Sequence, residues 1–179
     1  MKISKGFTLL ELVVVVAIAG IMAAVAIPAL ITGRVAANES ATLGDIRTIM
    51  SAQTAYRSVN SGYYDAAVSC LVQPSNANCI PSYPSNGPTF LDSTLASLTP
   101  KTGYNRLFSG GPFVAPPPTA SPTSVLVYRY DATPGTVGVT GVRGFAGDNA
   151  GRICATADGA PVPAGPGPGT LPGNCQDVR

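Results

Sequence analysis

The chain has 179 residues, of which 45% are hydrophobic and only 11% are charged, and it contains neither histidine nor tryptophan. Without histidine the commonest general base and metal ligand is missing, and no Gly-x-Ser-x-Gly motif, phosphate loop or zinc ligand set is present. The formal net charge of +2 is too small for a strong electrostatic attraction to DNA, so the composition favours a structural protein over an enzyme or a nucleic-acid binder.

The first predicted element is an apolar helix over residues 7–33, in which Glu11 is the only charged residue. Such a helix is about 40 Å long, against a hydrocarbon core of about 30 Å. Lys2 and Lys5 precede it, so the positive-inside rule predicts that the amino terminus stays in the cytoplasm. A secretory signal peptide fits poorly, because its apolar stretch is usually about 7–15 residues and has no glutamate near its start.

Glu11 needs a specific explanation, because an unpaired carboxylate in a membrane segment is costly and a plain anchor gives no reason for it. The sequence Gly6-Phe7-Thr8-Leu9-Leu10-Glu11 is followed by an apolar helix that contains Pro28. This arrangement resembles the class III signal of type IV pilins and type II secretion pseudopilins. The resemblance covers about the first 28 residues and joins a glycine, an aromatic residue, a glutamate and the apolar run in one register.

The resemblance assigns roles to four residues. It implies that a prepilin peptidase cuts after Gly6, that residues 1–6 are a leader, and that Phe7 becomes the N-methylated amino terminus. It further implies that Glu11 pairs with the α-ammonium of Phe7 on a neighbouring subunit, which favours one axial stagger over slipped ones. Pro28 removes a helix hydrogen bond and predicts a kink near residues 24–28, and in related filaments this stretch can unwind.

Residues 34–60 predict the amphipathic continuation of the same helix. Its apolar positions recur at helical spacing and are Val35, Leu43, Ile46, Ile49, Met50 and Tyr56. The two halves together make a stalk of roughly 75–80 Å. The apolar stripe needs a cover, and a small sheet packed on it is the simplest one.

The rest of the chain predicts that small sheet and its connections. Residues 61–123 are rich in Ser, Pro, Gly and Asn and predict a long irregular connection with one short helix near residues 90–98. Candidate strands within residues 124–156 cover 124–130, 136–139, 142–146 and 152–155, which suits an antiparallel meander. The predicted fold is α+β and pilin-like: a long N-terminal helix, half membrane segment and half amphipathic, packed on a small antiparallel sheet with a disulfide-closed C-terminal region.

Four cysteines, Cys70, Cys79, Cys154 and Cys175, all follow the membrane segment, where an oxidising compartment permits disulfides. Three connectivities are possible. Pairing Cys70 with Cys79 and Cys154 with Cys175 is preferred because each pair closes a local loop, and the second ties the Gly/Pro-rich segment 157–179 to the last strand. A C-terminal loop of that kind is similar to the one in type IVa pilins. A metal site is disfavoured by the lack of Cys-x-x-Cys spacing.

The resemblance implies a structural subunit of a type IV pilus or pilus-like filament that works in adhesion, motility or DNA uptake. Its partners are copies of itself and other pilins, the prepilin peptidase and an inner-membrane assembly platform. Before assembly the subunit is a single-pass inner-membrane protein with a periplasmic head, and afterwards it is part of an extracellular pilus or a periplasmic pseudopilus. No catalytic residue, metal or cofactor is expected.

Two alternatives stay open. The first is a type II secretion pseudopilin, in which acidic residues of the C-terminal loops bind calcium; here Asp148 and Asp158 are isolated acids. The second is a membrane-anchored binding module that never polymerises. Strong nucleic-acid binding is disfavoured, because removal of residues 1–6 leaves nine basic and nine acidic side chains, and Arg129, Arg143 and Arg152 are interpreted as solvated strand residues.

Overall fold

One long helix dominates the computed structural model, which describes residues 6–178; residues 1–5, which belong to the predicted leader, and Arg179 lie outside the described residues. The helix, α1 (Leu9–Val59), has 51 residues and runs through Pro28. The side chain of Thr8 caps its first turn by accepting a hydrogen bond from the backbone N–H of Glu11 at 3.2 Å. The backbone N–H of Asn60, bonded to the carbonyl of Tyr56, closes its C-terminal end.

The two halves of α1 differ in exposure. An 18-residue window in its apolar half has a mean hydropathy of 2.7, and none of that window is buried. In the second half, positions three or four residues apart are buried against the head: Glu39, Thr42, Ile46, Ile49, Ala52, Gln53 and Tyr56. Of the predicted apolar stripe, Ile46, Ile49 and Tyr56 are fully buried, whereas Val35, Leu43 and Met50 are half-buried.

The head contains two antiparallel sheets and two short helices. In chain order α1 is followed by β1 (Tyr64–Asp65), α2 (Ser69–Val72), α3 (Ser93–Ala96), β2 (Tyr104–Gly110), β3 (Ser124–Val125), β4 (Tyr128–Pro134), β5 (Gly144–Asp148), β6 (Ile153–Thr156) and β7 (Gln176–Asp177). The larger sheet has the order β2-β4-β5-β6-β7, and β1 pairs with β3 in a separate ribbon. The predicted α+β fold, a long helix packed on an antiparallel sheet, is therefore confirmed.

The main core lies between α1 and the larger sheet. Ile46, Ile49 and Tyr56 share one buried cluster with Tyr130 and Phe145. Gly147 on β5 permits this packing, because a Cβ there would lie 2.5 Å from Cγ2 of Ile46 and 2.9 Å from Sδ of Met50. The helix and the sheet thus approach at a point where a larger residue would separate them.

The strand pattern differs from the prediction at several places. The strand predicted over residues 124–130 is divided into β3 and β4, because Val125 pairs with Tyr64 in the small ribbon whereas Tyr128 pairs with Gly110 in the larger sheet. Residues 136–139 form a turn instead of a strand, since the carbonyl of Thr136 accepts hydrogen bonds from Val139 and Thr140 and Gly138 adopts a φ of 80°.

A further difference is β2, which lies, like the short strand β1, inside the segment 61–123 that the sequence predicts to be irregular. The two-residue strand β7 lies in the predicted C-terminal loop. Arg106 breaks the apolar alternation of β2, because it falls on the same side as Tyr104 and Phe108. Its guanidinium donates hydrogen bonds to the carbonyls of Thr99 at 2.7 Å and Thr94 at 3.1 Å. β2 is an edge strand of the larger sheet, and edge strands commonly carry inward-pointing charged residues.

Candidate functional site

The residues that the sequence marks for processing lie just before α1. Residues 6–8 are not helical, and no heavy atom lies within 4 Å of the position that a Cβ on Gly6 would occupy. The Phe7 side chain is 81% exposed. The peptide bond between Gly6 and Phe7 therefore lies in an open, non-helical segment that is accessible to another protein.

Glu11 lies in the first turn of α1. A negative charge is favoured at this end of a helix, because the first backbone N–H groups carry partial positive charge. The Glu11 side chain is exposed, and the four ion pairs within residues 6–178 do not include it. Gly6, Phe7 and Glu11 thus lie together at one end of α1, whereas Pro28 is about 25 Å further along the helix axis.

An exposed apolar surface follows Glu11 along α1. The side chains of Leu12, Ile18, Ile21, Met22, Val25, Ile27 and Leu30 are all more than half exposed. This is the one helix within residues 6–178 that is long and apolar enough to cross a membrane. An exposed apolar surface of this size marks a contact with lipid or with another apolar surface.

Glu39 forms a polar contact between α1 and the head. One carboxylate oxygen accepts hydrogen bonds from the backbone N–H groups of Val142 at 2.9 Å and Arg143 at 3.1 Å, and the other pairs with the Arg143 guanidinium at 2.7 Å. Burial alone would raise the pKa of Glu39, but these hydrogen bonds and the nearby cation outweigh it and hold the pKa below its ordinary value. Nearby, Asn38 donates to the carbonyl of Thr140 at 2.9 Å.

A second polar contact lies near the end of α1. The Gln53 side chain donates to the carbonyl of Asp65 at 2.8 Å and accepts from its N–H at 3.1 Å. The Tyr56 hydroxyl donates to the Asp65 carboxylate at 2.8 Å, and Thr123 donates to its other oxygen at 2.6 Å. Burial, followed by the Asp65 charge, raises the pKa of Tyr56, so its hydroxyl stays protonated and donates.

Two disulfides fasten the head, and they join the pairs that the sequence favours, Cys70 with Cys79 and Cys154 with Cys175. The second links β6 to the segment before β7. Beside it Val162 and Leu171 pack with Ala146 in a small buried cluster on the sheet. The Gly/Pro-rich segment is therefore held on the sheet by apolar contacts as well as by the covalent bond.

Arg129 corrects the expectation of a solvated strand residue. It is buried, and its guanidinium pairs with Asp131 through Nε at 2.8 and 2.9 Å. It also donates to the backbone carbonyls of Val162 and Pro163. Arg129 thus holds the C-terminal segment on the sheet, since peptide carbonyls and one carboxylate occupy its donors.

The isolated acids of the C-terminal loops serve local structure. Asp148 accepts hydrogen bonds from the N–H groups of Ala150 and Arg152 at 3.0 and 3.2 Å, and Asp158 accepts from Ala160 at 3.1 Å. Within residues 6–178 one group of three possible metal ligands occurs, and two of its members are the disulfide-bonded Cys154 and Cys175.

The sequence did not predict the polar contacts between α1 and the head. One signal was present for Glu39, which falls between Val35 and Leu43 on the apolar stripe and therefore faces the head. No comparable signal marks Asp65, because its partners Gln53 and Thr123 lie 12 and 58 residues away.

Comparisons with known proteins agree with the N-terminal features. A family model described as the prokaryotic N-terminal methylation motif matches residues 1–27. The type IV major pilin protein PilA of Myxococcus xanthus is 36% identical over 75 residues, which are 42% of this chain and 34% of that protein. The type IV wide pilus major component PilA4 of Thermus thermophilus is 40% identical over 63 residues, 35% of this chain and 48% of that protein.

The chain thus spans a third to a half of the length of these two curated relatives. No solved structure matches it. The methylation motif, the long apolar helix and the likeness to two type IV pilins together support a type IV pilin-like protein.

Proposed function

We propose that this chain is the structural subunit of a type IV pilus or pilus-like filament, cut by a prepilin peptidase after Gly6, methylated at Phe7 and polymerised through α1. The observation that carries the proposal is the membrane-length apolar half of α1, of which no part is buried in the subunit. In water that surface is unfavourable, at about 25 cal/mol per Å². Lipid covers it before assembly, and other copies of α1 cover it afterwards.

Glu11 supplies the register of the proposed filament. Cleavage after Gly6 creates an α-ammonium at Phe7, four residues before Glu11. Both groups lie at the same exposed end of the helix, so the carboxylate of one subunit meets the ammonium of the next. Because a charge left unpaired in an apolar bundle is strongly penalised, only one stagger between neighbouring helices satisfies it.

Support for the finer roles comes from the relatives, whose names describe major pilus components. By analogy the assembled filament acts outside the cell in adhesion, motility or DNA uptake. A prepilin peptidase and an inner-membrane assembly platform are the partners that this role requires, and the same analogy gives the chain a structural role.

The mature amino terminus tests the processing step. Intact-mass measurement of the protein from membranes or filaments is expected to show the loss of residues 1–6 and one added methyl group. A Gly6→Val variant should retain the full mass, because a Cβ at this position crowds the peptidase, and it serves as the matched control. A wild-type protein with an uncut amino terminus would contradict the proposal and favour an anchored module that does not polymerise.

The role of Glu11 is tested separately by assembly. Glu11→Val is expected to insert into the membrane normally but to reduce filament yield at least tenfold, which corresponds to about 1.4 kcal/mol of lost preference for the correct stagger. Leu10→Val is the matched control, since it changes a neighbouring exposed residue without removing a charge. Normal filament yield from Glu11→Val would remove the register role, and filaments are counted in sheared fractions by immunoblot and electron microscopy.

A further inference from the structure

A valine-bearing loop of the head, residues 136–142, lies beside the end of the membrane segment. Val137, Val139 and Val142 are 54%, 61% and 42% exposed. On one side of α1, Val142 and Ile31 line a cleft of about 330 Å³, and on the other Val139 lines a second cleft of about 330 Å³ with Ile31 and Arg34. The loop therefore holds exposed valines on both sides of the helix at the level of Ile31.

The loop is fixed in this place by polar contacts. Asn38 donates to the carbonyl of Thr140 at 2.9 Å, and Glu39 accepts from the N–H of Val142 at 2.9 Å. These bonds join the loop to α1 only five and six residues beyond Gly33, where the apolar run ends. Any motion of the loop relative to the membrane segment is thus limited by the helix itself.

Its backbone is also suited to an environment poor in water. Within the loop, the N–H of Gly138 donates to Gly141 at 2.8 Å, and those of Val139 and Thr140 donate to the carbonyl of Thr136 at 3.2 and 2.9 Å. The N–H of Thr136 donates to the Thr140 hydroxyl at 3.0 Å. Because these groups are already satisfied, covering the loop with lipid leaves few backbone donors without partners.

The length of α1 gives the depth of the loop. If Phe7 lies at the cytoplasmic edge of the hydrocarbon core, about 20 residues cross its roughly 30 Å, and the helix leaves the core near Ala26. Ile31 is then about 7 Å beyond the core, within the interfacial layer of about 5–8 Å on each side of a bilayer. Arg34 lies on the exposed surface one turn further, where a cation meets lipid phosphates.

We propose that residues 136–142 form a lipid-contacting foot, which places Val139 and Val142 in the outer interfacial layer of the bilayer and so seats the head on the membrane before assembly. The occupant of this surface is lipid, because the loop continues the apolar surface of the membrane segment. The inference rests on the proposed membrane span of α1 and does not depend on polymerisation.

A single introduced tryptophan tests the foot, since the chain has none of its own. The full chain with Val139→Trp is placed at low density in phosphatidylcholine vesicles whose acyl chains are brominated near the headgroup. Trp emission is expected to shift to shorter wavelength and to lose at least half its intensity relative to unbrominated vesicles. Val142→Trp is expected to behave in the same way, and intact disulfides with an unchanged melting temperature show that each variant folds.

Two further positions make the result decisive. Phe113→Trp is the matched control, because Phe113 is 68% exposed. Phe113 pairs with Val125, and Val125 pairs with Tyr64, which follows the C-terminal end of α1, away from the membrane segment. Phe113→Trp is expected to keep its emission in brominated vesicles. Val15→Trp, within the apolar half of α1, reports the span itself and is expected to be quenched by bromines placed deeper in the chains.

Each outcome separates the foot from the span. Quenching at position 15 with emission at 139 no different from that at 113 overturns the foot and leaves the span intact. Absence of quenching at position 15 overturns both. A blue shift at 139 that occurs only when the protein is crowded in the vesicle shows contact with a second copy, and it also overturns the assignment to lipid.

Discussion

Single residues decide how the head is held on its helix. One carboxylate oxygen of Glu39 accepts hydrogen bonds from the backbone N–H groups of Val142 and Arg143, and the other oxygen pairs with the Arg143 guanidinium. A buried carboxylate with this many donors is stabilised in its charged form, whereas the same group without them would destabilise the folded protein. An acid on the apolar stripe thus joins α1 to the head.

The first prediction follows from the lowered pKa of Glu39. Since its folded pKa lies below its ordinary value of 4.5, the contact stabilises the protein above that value and is lost as the pH falls through the folded pKa. Glu39→Gln should lower the free energy of unfolding at pH 7 by about 1–2 kcal/mol, because Arg143 is partly exposed and screened.

Thermal unfolding of the full chain in detergent, followed by circular dichroism, measures this effect. The difference between Glu39→Gln and the wild type should shrink at a pH below the folded pKa. Ser40→Ala, one residue further on the exposed side of the same turn, is the control and should leave the profile unchanged. A difference that persists undiminished in acid would show that charge is not what Glu39 contributes.

A second prediction concerns the close approach at Gly147. In Gly147→Ala the new methyl group would meet Ile46 and Met50, so we expect a loss of about 1–3 kcal/mol in the free energy of unfolding. Gly44→Ala in α1 is the matched control, since nothing lies within 4 Å of its Cβ position. A glycine removed from a helix should instead add up to about 1 kcal/mol. Equal melting temperatures for the two variants would contradict this packing.

Among the elements, α1 was the most predictable and the edge strand β2 the least. The apolar run and the stripe of Ile46, Ile49 and Tyr56 are repeated local signals, and each indicates a helix. In β2 the alternation is broken by Arg106, whose hydrogen bonds to the carbonyls of Thr94 and Thr99 exist only in the folded head. A pattern of alternating residues within one strand does not indicate hydrogen-bond partners that lie outside that strand.

The turn at residues 136–139 shows the same limit at short range. Its valines favour a strand, but Gly138 adopts a positive φ and the Thr136 carbonyl closes a turn. The disulfide pairs were easier, because each joins cysteines that are close in sequence. Local covalent loops are predictable from spacing, whereas contacts such as that of Gln53 with Asp65 depend on how α1 turns back into the head.

The C-terminal segment gives a prediction at the scale of the element. Cys154→Ser combined with Cys175→Ser opens a loop of 21 residues in sequence separation and should cost about 3 kcal/mol in the free energy of unfolding. It should also expose residues 157–175 to a protease of broad specificity, as seen by mass spectrometry of the fragments. The paired change Cys70→Ser and Cys79→Ser is the control and should leave that segment protected.

If residues 157–175 stay uncut in the variant without Cys154 and Cys175, the disulfide is not what holds them on the sheet. The apolar contacts of Val162 and Leu171 and the hydrogen bonds of Arg129 would then be sufficient.

The described part of the chain, residues 6–178, combines a packed head with a helix half that is not buried in the subunit. Composition predicted this division, because charged residues are absent between Glu11 and Arg34 and recur beyond it. Which charged residues of the head are exposed was less predictable. Arg129 was predicted to be solvated but is buried, because its guanidinium donates to a backbone carbonyl of the C-terminal segment. The proposed assembly through α1 and the proposed contact of residues 136–142 with lipid involve different parts of the chain and can be tested separately.

The polar contacts of α1 with the head also define a load path. In the proposed filament, axial tension would enter through the apolar halves of α1 and pass to each head between Glu39 and Asn60. Glu39, the Ile46–Gly147 contact and the Gln53–Asp65 pair lie in succession along that stretch and resist shear together, so no single bond bears the whole tension. The long helix would then carry the tension, and its contacts with the head would prevent the helix from sliding relative to the head.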